Sequence, residues 1–282
     1  MTGRLIHGQP VGGRLAVREP DRTTDGTTDG TTDGRDGALR RGGIRLQGVG
    51  VRFGDVEVLR GIDLTVSPGE IVTVVGVSGG GKSTLLDVVA GVRRPTSGTV
   101  RVGGKVALMF QDATLLPWLT ATQNVALALR LRGIPRSLRR AQAVELLAEV
   151  GLQDHLDHRP HQLSGGMRQR VALARVLAQD APVVLMDEPM AALDRITRES
   201  VHHLLESVCA RSGLTVLFVT HDVQEAVRLG DRVLVLGGRP GTLLAEHTVD
   251  LPRPRAADST EVTRRAAAVA ADLHRAGGPD GD

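Results

Sequence analysis

Aromatic residues are nearly absent from this chain, with three Phe, one Trp and no Tyr in 282 residues. A core must therefore be built from aliphatic side chains, which the 41% apolar content allows, and the length suits one large domain. Lysine is scarce too: only Lys82 and Lys105 are lysines, and the other basic residues are arginines, a skew expected of a GC-rich, bacterial coding sequence. The single cysteine, Cys209, excludes an internal disulfide. No apolar run approaches the ~20 residues of a spanning helix, and the longest candidates, such as Val183 to Met186, are strand-sized. The start of the chain lacks a basic segment followed by an apolar stretch and a cleavage site. The expectation is a cytosolic protein that meets any membrane through a partner. A net charge of only +3, with basic residues interleaved among acids, offers no stripe for nucleic acid.

The segment 1–42 is rich in Gly, Thr, Asp and Arg and repeats Thr-Thr-Asp-Gly three times between Thr23 and Gly34. With so little apolar surface to offset its ordering entropy it reads as a disordered tail, although three regularly spaced Asp leave a calcium-binding repeat as the alternative. From Ile44 the pattern changes. Ile44, Leu46, Val49, Val51 and Phe53, then Val58, Ile62, Leu64 and Val66, predict a small antiparallel sheet. Ile71–Val75, Val106–Phe110, Val183–Asp187, Thr215–Val219 and Arg232–Leu236 read as buried parallel strands, and Ser83–Val92 as a helix. A helical insertion of about 113–179, helical mainly over Thr120–Gln179 with a break at Pro135, interrupts this α/β core. The domain is expected over 43–255. Residues 256–282 form a tail with a short strand before it after Gly241, and a helix over Ser259–Arg275 that places Val262, Ala266, Val269 and Leu273 on one face.

The run Gly76-Val77-Ser78-Gly79-Gly80-Gly81-Lys82-Ser83 follows a strand and opens a helix, with Thr84 next. Glycines at this spacing let the backbone curl so that several N–H groups converge where the helix start adds partial positive charge, a cradle for polyphosphate. Lys82 is placed to reach the β- and γ-phosphates, and Ser83 to hold Mg²⁺. A Gly-rich turn with a solvated Lys is the bland alternative. In a chain that uses Arg almost everywhere, a Lys at this point suits a compact ammonium better than a planar fork.

Val183 to Asp187 is an apolar strand ending in the adjacent carboxylates Asp187 and Glu188, at the sheet edge where nucleotides bind. Asp187 suits Mg²⁺ coordination through water, and Glu188 suits a base that orients or deprotonates the attacking water; the bland alternative is that adjacent acids at a strand end merely begin a loop. His221 follows the apolar Thr215–Thr220 and can reach the same edge, as a γ-phosphate contact. His155, His158 and His161 have no Cys and only scattered acids nearby, so they read as a solvated loop and not a metal site.

Leu163-Ser164-Gly165-Gly166-Met167-Arg168-Gln169-Arg170 runs from a glycine turn into an amphipathic helix. With the phosphate loop, Gln111, Asp187, Glu188, Asp194 and His221 in this order, the chain resembles the ATP-binding cassette (ABC) ATPases from Ile44 to Leu251. The resemblance implies a P-loop NTPase cassette with a parallel-sheet core, a small antiparallel subdomain and a helical insertion. It implies ATP and Mg²⁺ as ligands and a head-to-tail dimer in which Ser164, Gly165 and Gly166 of one copy meet the γ-phosphate held by Gly76–Ser83 of the other. It also implies that Phe53 stacks on adenine, that Gln111 links Mg²⁺ to the insertion, and that Asp194 contacts the second copy.

Phe53, flanked by Arg52 and Gly54, is poorly placed for core packing; Phe110 and Phe218 are expected in the core. Trp118 either contacts a membrane partner or packs locally. Two positions depart from many relatives: Met167 where Gln is common, and Ala191 where Ser is common.

Phe110–Trp118, Met190–Asp194, Arg239-Pro240-Gly241 and Leu251–Arg255 are similar to the nitrate, sulfonate and taurine importer branch, with aliphatic sulfonates the first choice of solute. Such a subunit would dock on integral membrane permease subunits at the cytoplasmic face, served indirectly by an extracytoplasmic solute-binding protein. The alternatives are a taurine or nitrate importer ATPase, or a soluble non-transport ABC ATPase. Against the last, the chain carries neither a second cassette nor a long coiled coil.

Overall fold

A computed structural model describes residues 39–256 and 259–276. The Thr-Thr-Asp-Gly repeat lies outside the described residues. The elements run β1 (Ile44–Phe53), β2 (Val56–Val66), β3 (Ile71–Gly76), α1 (Lys82–Val89), β4 (Ser97–Val102), β5 (Val106–Met109), α2 (Ala121–Leu131), α3 (Arg136–Glu149), α4 (Gly165–Leu177), β6 (Val183–Asp187), α5 (Arg195–Ser212), β7 (Thr215–Val219), α6 (Val223–Leu229), β8 (Arg232–Gly237), β9 (Thr242–Thr248) and α7 (Thr260–Ala276).

Two sheets result. The smaller, in order β2-β1-β4, is antiparallel, with Ile44 opposite Val66 and Phe53 opposite Val56. Its third strand, β4, was not anticipated, because Ser-Gly-Thr-Val-Arg-Val is half polar and buries none of its residues fully. The larger sheet, in order β5-β6-β7-β3-β8-β9, is parallel except for β9, which pairs antiparallel with β8 at the edge. Its central strands are buried on both faces, which explains their nearly continuous apolar character. One face packs with α1 against the small sheet, and the other against the helical insertion of α2, α3 and α4. The expected combination of parallel core, antiparallel subdomain and helical insertion is thus present.

Local chemistry sets the helix boundaries. α1 stops at Val89, short of the expected Val92, because Gly91 takes φ 72° while the Ala90 and Gly91 N–H groups bond Leu86 and Val88. α2 opens with a capping box in which the Thr120 hydroxyl accepts from Gln123 N–H and the Gln123 side chain accepts from Thr120 N–H. In α7, Val262, Ala266 and Val269 are buried against Val227, Val233 and Val249, and Leu273 is half-buried there.

Phe218 is fully buried as expected, but Phe110 is 48% exposed. It follows the last residue of the four-residue β5 and so leaves the sheet before its ring can enter the core. Among the described residues no helix is long and apolar enough to cross a membrane, and no group of three or more His, Cys, Asp and Glu could hold a metal. His155 and His158 instead meet edge to face, with ring centroids 4.9 Å apart.

Burial among apolar neighbours on α5 pushes the Cys209 thiol up to about 12. The thiolate is the nucleophile, so iodoacetamide at pH 8 should leave the native chain unlabelled and alkylate it once denatured. Mass spectrometry reads the result, and rapid labelling of folded protein would contradict this burial.

Candidate functional site

Four adjacent strands, β5, β6, β7 and β3, point their C-terminal ends to one edge of the sheet. They deliver Gln111, the Asp187–Glu188 pair, His221 and the Gly76–Ser83 loop there, at the place where a parallel sheet binds its ligand. The loop is backed by the small sheet: a Cβ on Gly81, which has φ 91°, would lie 2.6 Å from Leu59 Cδ2. Only glycine fits that approach. The N–H of Gly241, in the β8–β9 turn, donates to Val58 O at 2.8 Å, so the turn also braces this region.

Lys82 is 8% exposed, and its Nζ donates to Gly76 O at 2.9 Å and Val77 O at 3.0 Å. Burial pulls the ammonium below the usual lysine range, opposed by the charges of Glu188 and Asp187. Burial likewise raises the Asp187 carboxyl; a hydrogen bond from the Ser83 hydroxyl opposes this, the charge of Glu188 adds to it and that of Lys82 opposes it. Both shifts are of the kind that an incoming ligand reverses: phosphate favours the charged lysine, and a cation favours the charged aspartate. The adjoining Ser83 and Asp187 oxygens also suit a hard divalent cation such as Mg²⁺, which takes oxygen ligands.

Glu188 is held at φ 44°, an uncommon conformation for a side chain of this size, with its N–H bonded to Val219 O at 2.9 Å. Backbone strain of this kind persists only where the surroundings impose it, and it gathers at functional sites. His221 Nδ1 and Glu188 Oε2 lie 2.9 Å apart, within hydrogen-bond distance. The structure therefore brings Lys82, Ser83, Asp187, Glu188 and His221 into one cluster.

Gln111 is attached to the cluster indirectly. Its side chain is exposed, while its carbonyl accepts from Gln169 Nε2 at 2.6 Å, and Arg175 donates to Ala113 O, Thr114 O and Thr114 Oγ1 at 2.8–3.0 Å. Both anchors lie on α4, and sequence reading missed them because a Gln and an Arg within a helix announce no partner. Ser164 caps the same helix, its hydroxyl accepting from Met167 N–H at 3.2 Å. A Cβ on Gly166 would lie 2.1 Å from Thr197 Cγ2, and one on Gly165 3.4 Å from Leu193. The Ser164–Gly166 turn thus packs on the segment around Asp194, which caps α5 by accepting from Thr197 N–H at 3.0 Å. Hydrogen bonding to Thr197 holds the exposed Asp194 carboxyl below its usual range.

Phe53, at the end of β1, is 42% exposed, and the Arg93 guanidinium lies 4.1 Å from its ring centroid. An exposed face that already attracts a planar cation is a stacking surface.

The family model for the ABC transporter matches residues 59–191. The aliphatic sulfonates import ATP-binding protein SsuB 1 of Xanthomonas axonopodis pv. citri is 45% identical over 234 residues, covering 80% of this chain and 93% of that protein. The taurine import ATP-binding protein TauB of Burkholderia pseudomallei is 46% identical over 210 residues, covering 72% of this chain and 81% of that protein. Among solved structures, the ATP-binding cassette MJ0796 as a dimer in a post-hydrolysis state bound to ADP and Pi is 33% identical with a TM-score of 0.65, covering 74% of this chain and 100% of that one. With the phosphate loop, paired acids and histidine gathered on one sheet edge, the chain belongs to the ABC transporter family.

Proposed function

We propose that this chain is the ATP-hydrolysing subunit of an importer for small anions, with aliphatic sulfonates as the first candidate and taurine as the second. The observation that carries the choice of solute is near-half identity, over most of both lengths, to sulfonate and taurine import ATP-binding proteins. Deleting the gene from its source organism should abolish growth on an alkanesulfonate as sole sulfur source, and restoring it should recover uptake of that compound. Unchanged sulfonate uptake with lost taurine or nitrate uptake would reassign the solute.

In this reading the Gly76–Ser83 backbone and Lys82 hold the β- and γ-phosphates, and Phe53 stacks on adenine. Glu188 takes the proton of the attacking water, while His221 steadies a γ-phosphate oxygen. Ser83 and Asp187, with Gln111, would hold Mg²⁺, which supplies neutralisation of the charge on the phosphate oxygens. Ser164, Gly165 and Gly166 present their N–H groups and hydroxyl to the γ-phosphate of a second copy, whose Asp194 lies at the same boundary. Each nucleotide is then shared between two subunits.

Support for a membrane partner comes from an exposed apolar area. Trp118 is 67% exposed, Leu131 81% and Phe110 48%, and Leu131 also lines a cleft with Val106, Leu108, Leu116 and Leu127. Permease subunits at the cytoplasmic face are the occupants this reading assigns, with a solute-binding protein on the far side. Replacing Phe53 by Ala should raise KM for ATP about tenfold while leaving kcat nearly unchanged, since stacking acts equally on ground and transition states. A fall in kcat at constant KM would remove Phe53 from the adenine site.

A further inference from the structure

Beneath His221 lies a buried polar chain that the hydrolytic machinery described above does not use. Glu225, on α6, is 7% exposed, and its carboxylate has two side-chain partners. His202 of α5, 3% exposed, meets Oε1 through Nε2 at 2.6 Å, and the Thr220 hydroxyl, 2% exposed, donates to Oε2. A carboxylate removed from water is costly unless its oxygens are partnered, so this arrangement fixes three side chains relative to one another.

Its position gives that rigidity a use. Thr220 immediately precedes His221 and Asp222 follows it. The Thr220 N–H bonds Val74 O at 3.1 Å, and its hydroxyl accepts from Asp222 N–H at 3.0 Å. Asp222 in turn caps α6, with Oδ1 accepting from the N–H groups of Gln224 at 2.9 Å and Glu225 at 3.1 Å. The backbone is therefore clamped on both sides of a histidine whose own side chain is 63% exposed and has Glu188 as its partner. The far anchor, His202, belongs to α5, the helix that Asp194 caps.

We propose that His202, Glu225 and Thr220 form a positioning relay that holds His221 against Glu188 and the γ-phosphate. The proposal rests on the assignment of His221 to hydrolysis. It makes these three residues determinants of turnover and not of nucleotide affinity.

Steady-state ATP hydrolysis by the full-length chain tests it, with T220V, H202L and H202Q each made in the native sequence and together with H221A. Thr220→Val removes one hydroxyl at nearly constant shape, and Gln can place its Nε2 donor where the His202 Nε2 lies. T220V and H202L should lower kcat about tenfold with KM for ATP within about twofold, and H202Q should retain at least about half of native kcat. Combined with H221A, neither T220V nor H202L should cause additional loss, because both act through that side chain.

A multiplicative loss in the H221A background overturns the relay while leaving His221 in its role. So does native kcat in T220V and H202L, a rise in KM at constant kcat, or an H202Q as impaired as H202L. Native turnover in H221A alone would instead overturn the assignment of His221 itself, and the relay with it.

Discussion

Glu188→Gln is expected to lower ATP turnover by about 10²–10⁴-fold, the range associated with a positioned general base, while ATP still binds. Gln keeps the size and hydrogen-bonding reach of Glu but cannot accept the proton of the attacking water. The site around it should be little disturbed, because the φ of 44° at this position is imposed by the β6 end and by the N–H bond to Val219 O. ATP that binds without being cleaved should hold two copies together. Size-exclusion chromatography should therefore show an ATP-dependent dimer in the variant. Single-turnover quench measurements separate the chemical step from release, and native cleavage rates in E188Q would remove Glu188 from the role of base.

Mixing two inactive variants should restore activity. Lys82→Ala destroys the phosphate cradle, and Ser164→Arg places a bulky charge at the exposed cap of α4 where the second copy's nucleotide would sit. Alone, each homodimer has two defective sites and should fall at least about a hundredfold in turnover. In a mixed dimer both lesions fall in one site and the other site is intact. An equal mixture that exchanges subunits freely should therefore contain roughly a quarter of the native number of working sites. Activity no greater than the sum of the parents, with mixed dimers verified by native mass spectrometry, would contradict a shared site. Within one chain the Ser164–Gly166 turn packs against Leu193 and Thr197, which groups it with Asp194.

Much of this was legible in the sequence because the central strands are buried on both faces. Val183–Asp187 and Thr215–Val219 read as continuous apolar runs, and the structure has strands with those bounds. The phosphate loop was equally plain, since its glycines answer steric needs such as the close approach of Leu59 to Gly81. What escaped were features decided by long-range partners. β4 is polar and half-exposed, and exists because β1 offers it an edge. Phe110 looked like core from its neighbours, but exposure at a strand end depends on what covers it in three dimensions. The anchors of the Gln111 loop, Gln169 and Arg175, are separated from their acceptors by 58 and about 61 residues, and no local pattern announces such a bond. The buried His202–Glu225 pair, 23 residues apart on different helices, escaped for the same reason.

Lys82 spends its ammonium on the carbonyls of Gly76 and Val77, so the loop is tied to its own cation before any phosphate arrives. An incoming nucleotide therefore competes with two internal acceptors and displaces them, instead of recruiting a loose lysine from solvent. The cradle needs little folding on encounter, and the entropy of ordering it has already been met during folding of the chain. In kinetic language, nucleotides differing in their terminal phosphate should arrive at similar rates and be sorted by how long they stay.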